Sequence, residues 1–276
     1  EAMLSYGHRW GDFGWDSSFT FSANKNEIVE LVKDYVHPET GKTYNVDKLE
    51  LKTDEGRGFG KAKFILKEGG TLGDLYTHAD LKRDINGNVL IDDSGNVTAI
   101  DNAGGIKLGS VLPKANLAWN NSFSYKGINV GFLLTARLGG IVYSATQAYL
   151  DLYGVSETSA AARDAGGVWI NGRSRVNPQS FYEVVASQSG LPTYYTYSAT
   201  NLRLQEAHIG YTVPRRWLGN VCDINVSLVG RNLWMIYCKA PFDPEAVATT
   251  NNYYQGIDYF MMPSTRNIGF NIKINF

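Results

Sequence analysis

Four histidines and two cysteines are the residues from which metal or nucleophilic chemistry would be built, and their spacing does not build it. His8, His37, His78 and His208 have no histidine partner four residues on and no nearby cysteine, and no Gly-x-Ser-x-Gly or phosphate-binding loop is present. Cys222 and Cys238 lack C-x-x-C spacing. They flank one alternating stretch, whose roughly 16 residues at about 3.3 Å each hold them about 50 Å apart. A disulfide needs about 6 Å between α-carbons, so two free thiols are expected. Asp84-Ile-Asn-Gly-Asn88 followed by Asp92-Asp-Ser-Gly95 is rich in oxygen but lacks a calcium loop's sixth-position glycine and bidentate glutamate, which leaves two tight turns as the better reading. No enzyme activity, metal or cofactor is expected.

Aromatic side chains offer chemistry of another kind. Trp169, Tyr194, Tyr195, Tyr197, Tyr253, Tyr254, Asp258 and Tyr259, with Phe260 beside them, fall in two long connecting segments. Aromatic faces with polar neighbours suit stacking on sugars or contact with peptides, so these residues are the expected substrate or partner contacts. The same rings could instead pack the segments together or dock a partner protein.

The elements that must position them read as strands. Ile268, Phe270, Ile272, Ile274 and Phe276 alternate with Asn267, Gly269, Asn271, Lys273 and Asn275. Residues 128 to 138 place Ile128, Val130, Phe132, Leu134, Ala136 and Leu138 on one face and Asn129, Thr135 and Arg137 on the other. Similar alternation marks residues 2 to 10, 15 to 23, 117 to 125 and 224 to 231. Residues 201 to 212 change phase, which predicts a bulge near Glu206. Seven strands result. Their connections run short, long, short, long, so every short turn lies at one end and every long segment (24 to 115, 139 to 200, 237 to 265) at the other. That asymmetry, strands of roughly 9 to 11 residues, and Trp10, Trp15, Tyr125, Tyr211 and Trp217 near the turns suit an outer-membrane β-barrel. A soluble all-β carbohydrate-binding or adhesion module is the alternative.

Composition agrees with a sheet that is not wet on both faces. Of 276 residues, 43% are apolar and 13% aromatic but only 19% charged, against about 25% in ordinary soluble domains. Lysine and arginine total 26 against 27 acidic residues, a net charge of −1, which excludes the basic surface that nucleic acid requires. The chain opens at Glu1 without a basic or apolar leader, so no signal peptide is expected within it. Seven is an odd number, whereas bacterial single-chain barrels have even ones, so a larger barrel is expected.

Several segments resemble the SusC/RagA family of TonB-dependent transporters of Bacteroidetes. Asn201-Leu-Arg-Leu-Gln-Glu-Ala-His-Ile-Gly-Tyr-Thr-Val-Pro214 is similar to the family's "yLRLknvtLGYtlP", and Val229-Gly-Arg-Asn-Leu-Trp234 to "sgqNLwt". Phe242-Asp-Pro-Glu245 matches "yDPEv". Gly256-Ile-Asp-Tyr259 with Pro263, Arg266 and the terminal strand matches the closing motif, while Leu112 to Gly127 and Trp15 to Asn26 fit two upstream strands. Cys238, Lys239, Met261 and Met262 depart from the pattern. The resemblance implies an all-β fold: an antiparallel transmembrane β-barrel segment of about seven strands from a 22-stranded, plugged barrel with long extracellular loops. Residues 1–276 would be its C-terminal portion, the plug and signal peptide lying outside this chain. It further implies an outer-membrane importer of glycan or peptide oligomers in a Gram-negative, Bacteroidetes-like cell. Its partners would be a SusD-like surface lipoprotein, TonB through the absent N-terminal part, outer-membrane lipid and the remainder of the transporter. Arg137, Arg203, Arg231 and Lys273 should point into the lumen, since a cation at the bilayer midplane costs about 2–4 kcal/mol. There they would guide anionic groups or pair with plug carboxylates.

Overall fold

The computed structural model describes residues 1–51, 62–187, 191–219, 221–249 and 255–275. β1 (Ala2–Trp10) and β2 (Phe13–Ala23) form a first hairpin. A first long connection carries β3 (Val32–Val36), β4 (Thr43–Val46), β5 (Lys48–Glu50), β6 (Ala62–Lys67), β7 (Asp74–Leu81) and β8 (Ala99–Ser110). β9 (Ala115–Tyr125) and β10 (Ile128–Leu138) form a second hairpin. The next connection holds β11 (Ile141–Ser144), α1 (Ala145–Leu152), α2 (Glu157–Asp164), β12 (Val168–Ile170), β13 (Ser174–Val176), α3 (Pro178–Val185) and β14 (Thr196–Ser198). β15 (Asn201–Val213) and β16 (Asp223–Cys238) follow, then β17 (Ile257–Asp258) and β18 (Asn267–Asn275).

Among the described residues, β1, β2, β9, β10, β15, β16 and β18 make one antiparallel sheet in chain order. Local chemistry sets its turns. Lys126 and Gly127 both have positive φ (46° and 89°), as a type I′ hairpin demands, and a Cβ on Gly127 would lie 2.9 Å from the Thr212 carbonyl oxygen. Cross-strand register then sorts side chains by face: Ile128 lies opposite Tyr125 and Tyr211, Val130 opposite Phe123 and Ile209, Leu134 opposite Trp119. Farther along the sheet, Ile209 faces Leu228 and Leu228 faces Phe270. One face is therefore apolar from β1 to β18, and many of its large residues are exposed, among them Leu4, Trp10, Trp119, Ile209, Leu228, Trp234 and Phe270. A soluble monomer rarely exposes an apolar patch beyond a few hundred Å². A barrel strand that meets lipid requires one.

The expected bulge is present. Register slips between the pairs Leu133–Glu206 and Leu134–Leu204, so Gln205 has no counterpart on β10, and Asn232 on β16 bends with φ +53° beside it. Cys222 and Cys238 are free thiols at the two ends of β16.

The long connections differ from the loops expected of them: they fold together into a cap with its own core. Phe64 and Leu75 from the first, Tyr143, Phe181, Val185 and Leu191 from the second, and Ile257 from the third pack into one buried cluster. β17 joins the third connection to the second by pairing in parallel with β11, Tyr143 beside Ile257. Serine and asparagine caps start the helices: Ser144 Oγ accepts from Gln147 N–H, Ser156 Oγ from Ser159 N–H and Asn177 Oδ1 from Gln179 N–H. Alternation is a poor guide to this part, because most of its strands are short, β5, β12, β13 and β14 having three residues each. No helix among the described residues is long and apolar enough to cross a membrane.

Candidate functional site

The polar face of the sheet carries all four expected cations. Thr135 lies opposite Arg203, Arg137 opposite Asn201, Glu206 opposite Arg231, and Asn225 opposite Lys273. Arg203 is paired within the chain. Its side chain is 5% exposed; Nη1 donates to Asn232 Oδ1 and Nη2 to Asp243 Oδ1, both at 2.7 Å, and Glu245 Oε2 lies 3.2 Å away. The "LRL" arginine thus binds the "DPE" carboxylates of the same chain. Ser264 Oγ also donates to Asp243, as does the Glu245 N–H at 3.0 Å. Burial alone would raise the Asp243 pKa, but these hydrogen bonds outweigh it and hold the carboxyl below its ordinary range.

Arg231 is paired too, its Nε donating to Glu206 Oε2 at 2.9 Å, although it is largely exposed. Arg137 Nη2 donates to the Val111 carbonyl oxygen at 2.8 Å, which ties β10 to the cap. Its side chain also lines a groove of about 620 Å³ with Thr20, Asn116, Thr135 and Glu245. Lys273 is exposed on the edge strand.

The expected aromatic contacts divide in two. Tyr195 and Asp258 are 3% and 6% exposed and belong to the cap's interior, not its surface. Tyr195 donates its hydroxyl to Asp151 Oδ2 at 3.0 Å, and burial beside that carboxylate pushes its pKa up. Asp258 accepts from Ser144 Oγ at 2.5 Å. Tyr194 and Tyr197 are half-buried. Tyr194 meets Phe181 edge-on at 6.0 Å; Tyr197 meets Phe242 at 5.6 Å, and burial lifts its phenol to about 12. Tyr259 packs on Phe260 at 5.2 Å and Tyr149 at 6.3 Å. Trp169 is 55% exposed with the Arg175 guanidinium 4.5 Å over its ring. Tyr253 and Tyr254 lie outside the described residues, as does Phe276.

Two surface rings went unnoticed. Tyr149 and Tyr153 stack at 6.5 Å, and Tyr153 is among the cap's most exposed aromatics. Their i, i+4 spacing just before Gly154 was the available signal. Phe260 completes the ridge in a left-handed backbone conformation, φ +51°, fixed by its N–H donating to Thr146 Oγ1 at 2.7 Å.

The oxygen-rich repeat forms two tight turns. Asp84 Oδ1 accepts from Asn86 and Asn88 N–H, and Asp92 Oδ1 from Ser94 and Asn96 N–H. The bonds from the Asn88 side chain and backbone draw the Asp84 pKa down. Among the described residues no three His, Cys, Asp or Glu side chains converge as metal ligands.

The arrangement can bind and enclose. No family model matches the chain. It is 25% identical to TonB-dependent receptor P3 of Formosa agariphila over 289 residues, 95% of this chain and 27% of the relative. Likewise it is 25% identical to TonB-dependent receptor P26 of the same organism over 293 residues, 97% of this chain and 28% of that one. In fold it is similar to the RagAB peptide importer in the "closed-closed" state, with a TM-score of 0.66 at 17% identity over 99% of this chain and 29% of the other. A second structure of the RagAB peptide transporter gives 0.63 at 15% identity, covering 99% and 28%. The chain spans somewhat more than a quarter of these relatives' length. They are receptors and transporters rather than enzymes. By sequence and fold together, the chain is a homologue of the TonB-dependent receptors and forms a partial β-barrel of their kind.

Proposed function

We propose that residues 1–276 are the C-terminal barrel portion of an outer-membrane, TonB-dependent nutrient importer in a Bacteroidetes-like cell. The observation that carries this is the largely apolar, exposed face that runs across all seven strands, set between short turns at one end and a folded cap at the other. Lipid covers that face. The polar face lines the lumen, the cap stands outside, and further strands and a plug belong to the rest of the protein. The cargo is an oligomer of glycan or peptide, and a SusD-like lipoprotein closes over the cap. RagAB, which this fold resembles, is a peptide importer. Transport is gated without covalent chemistry: TonB displaces the plug and cargo passes. Trp169, Tyr194, Tyr197 and Tyr259 remain candidate contacts on the cap, and Arg137 and Lys273 in the lumen.

Fractionation of cells that express the full-length protein tests this. The protein should sediment with outer membrane, require detergent for extraction and migrate differently on gels before and after boiling. A monodisperse soluble monomer obtained without detergent would establish the adhesion-module alternative instead.

A further inference from the structure

One cleft in the cap is lined by residues outside every set named in the sequence analysis. α3 packs against both α1 and α2, and the three helices enclose a cavity of about 520 Å³, within the roughly 300–1,000 Å³ range of small-molecule sites. Asp151 forms its floor. That carboxylate is buried and accepts from the Tyr195 and Ser156 hydroxyls and from Gln147 Nε2, so it is rigid.

The mouth takes one group or more from each helix. Tyr153 stands at the end of α1, exposed and stacked on Tyr149 with 13° between the rings. Arg163 of α2 donates from Nη1 to the Gly154 carbonyl oxygen at 2.8 Å, which holds its guanidinium plane in place. Gln179 and Glu183, one turn apart on α3, are joined by Gln179 Nε2 donating to Glu183 Oε1 at 2.9 Å.

Planar polar groups around an aromatic ring favour one class of ligand. Adjacent hydroxyls on a sugar each donate and accept, and amide, carboxylate and guanidinium planes satisfy such pairs with two bonds at once. A tyrosine face takes the C–H face of the ring. Peptides are commonly held on an open strand edge or in a row of apolar pockets, whereas this cleft lies among helices and presents Asp151, Arg163, Gln179 and Glu183. Arg163 opposes Asp151 and Glu183, an imbalance that disfavours sulfated or uronic units. We infer that the three-helix cleft binds one or two neutral sugar rings through Tyr153, Arg163, Gln179 and Glu183. The inference rests on the outward orientation of the cap in the proposed function.

The test uses the full-length protein extracted from outer membrane. Neutral trisaccharides of α-glucose, β-glucose, β-galactose, β-mannose and β-xylose are the probes, with trialanine as the peptide comparison, read by saturation-transfer NMR and calorimetry. At least one trisaccharide should bind, and Tyr153→Ala and Glu183→Ala should each weaken it about tenfold, or about 1.4 kcal/mol. Ile85→Ala, on the exposed Asp84 turn and outside the cleft, should leave affinity unchanged. Both cleft residues are exposed, and unchanged circular dichroism shows that the variants fold. Absence of binding by every sugar at about 10 mM, where even a Kd of about 6 mM would register, overturns the inference, as does binding that survives both substitutions or trialanine that competes equally. Failure to find the protein in outer membrane overturns the proposed function and this inference with it; recovery there without sugar binding overturns this inference alone.

Discussion

Arg203 shows what a signature residue does when its partner is found. Arginine on the polar face suggested a guide for anions, yet its bonds go to Asp243 and Asn232, and it pins the turn at Asp243 to the barrel wall. Removing one member of a buried pair strands the other charge, typically at about 3–5 kcal/mol. Arg203→Met should therefore cost that much in chemical unfolding, and Asp243→Asn combined with it should recover part of the loss. The pH dependence follows from the depressed Asp243 pKa. The carboxylate's contribution is fully present above its unfolded pKa of about 4 and disappears as pH falls through the lower folded value. Wild-type stability should drop on acidification below about pH 4, and Asp243→Asn should remove that component from the titration curve. The motif was legible in the sequence, but the partnership was not, because about 40 residues separate its members and nothing in either segment names the other.

At the scale of elements, the strands of the seven-stranded sheet were readable and those of the cap were not. β10 and β18 each carry one apolar and one polar face, so alternation runs through them and their faces follow directly. Phe270 and Asn271 are neighbours on opposite faces of β18. Phe270→Arg should reduce stable insertion by about 2–4 kcal/mol, while Asn271→Arg should insert normally, as judged by outer-membrane yield and heat-dependent gel mobility. Gly127→Ala meets both its positive φ and the Thr212 carbonyl oxygen, and should lower the unfolding midpoint of the β9–β10 hairpin region. The cap strands gave no such signal. On β6 the adjacent Phe64 and Ile65 are both buried, so apolar residues fall on both faces, and the pairing of β17 with β11 is too short to leave a pattern.

For the whole molecule, the sheet and the cap are held by different means. The sheet leaves its apolar face exposed, whereas the cap buries Leu75, Leu191 and Ile257 in a core of its own. They should fail separately. Leu75→Ala should cost the cap about 2–5 kcal/mol, seen as faster hydrogen exchange at β7, α1 and α3, while the amides of β10 and β15 keep their protection. Of the candidate contacts, position within a connection was legible and exposure was not, since Tyr195 and Tyr194 are adjacent in sequence but differ in which of them faces the core.

β16 leaves one further handle. It carries a free thiol at each end, Cys222 by the short turns and Cys238 by the cap, so in the proposed barrel a single strand would report on both sides of the bilayer through the chain's own sulfur chemistry. A bulky maleimide confined to the outside of intact cells can reach only the cap side, and permeabilisation should add Cys222 to the labelled set. Orientation can thus be assigned without engineering a tag, by counting which cysteine carries the adduct.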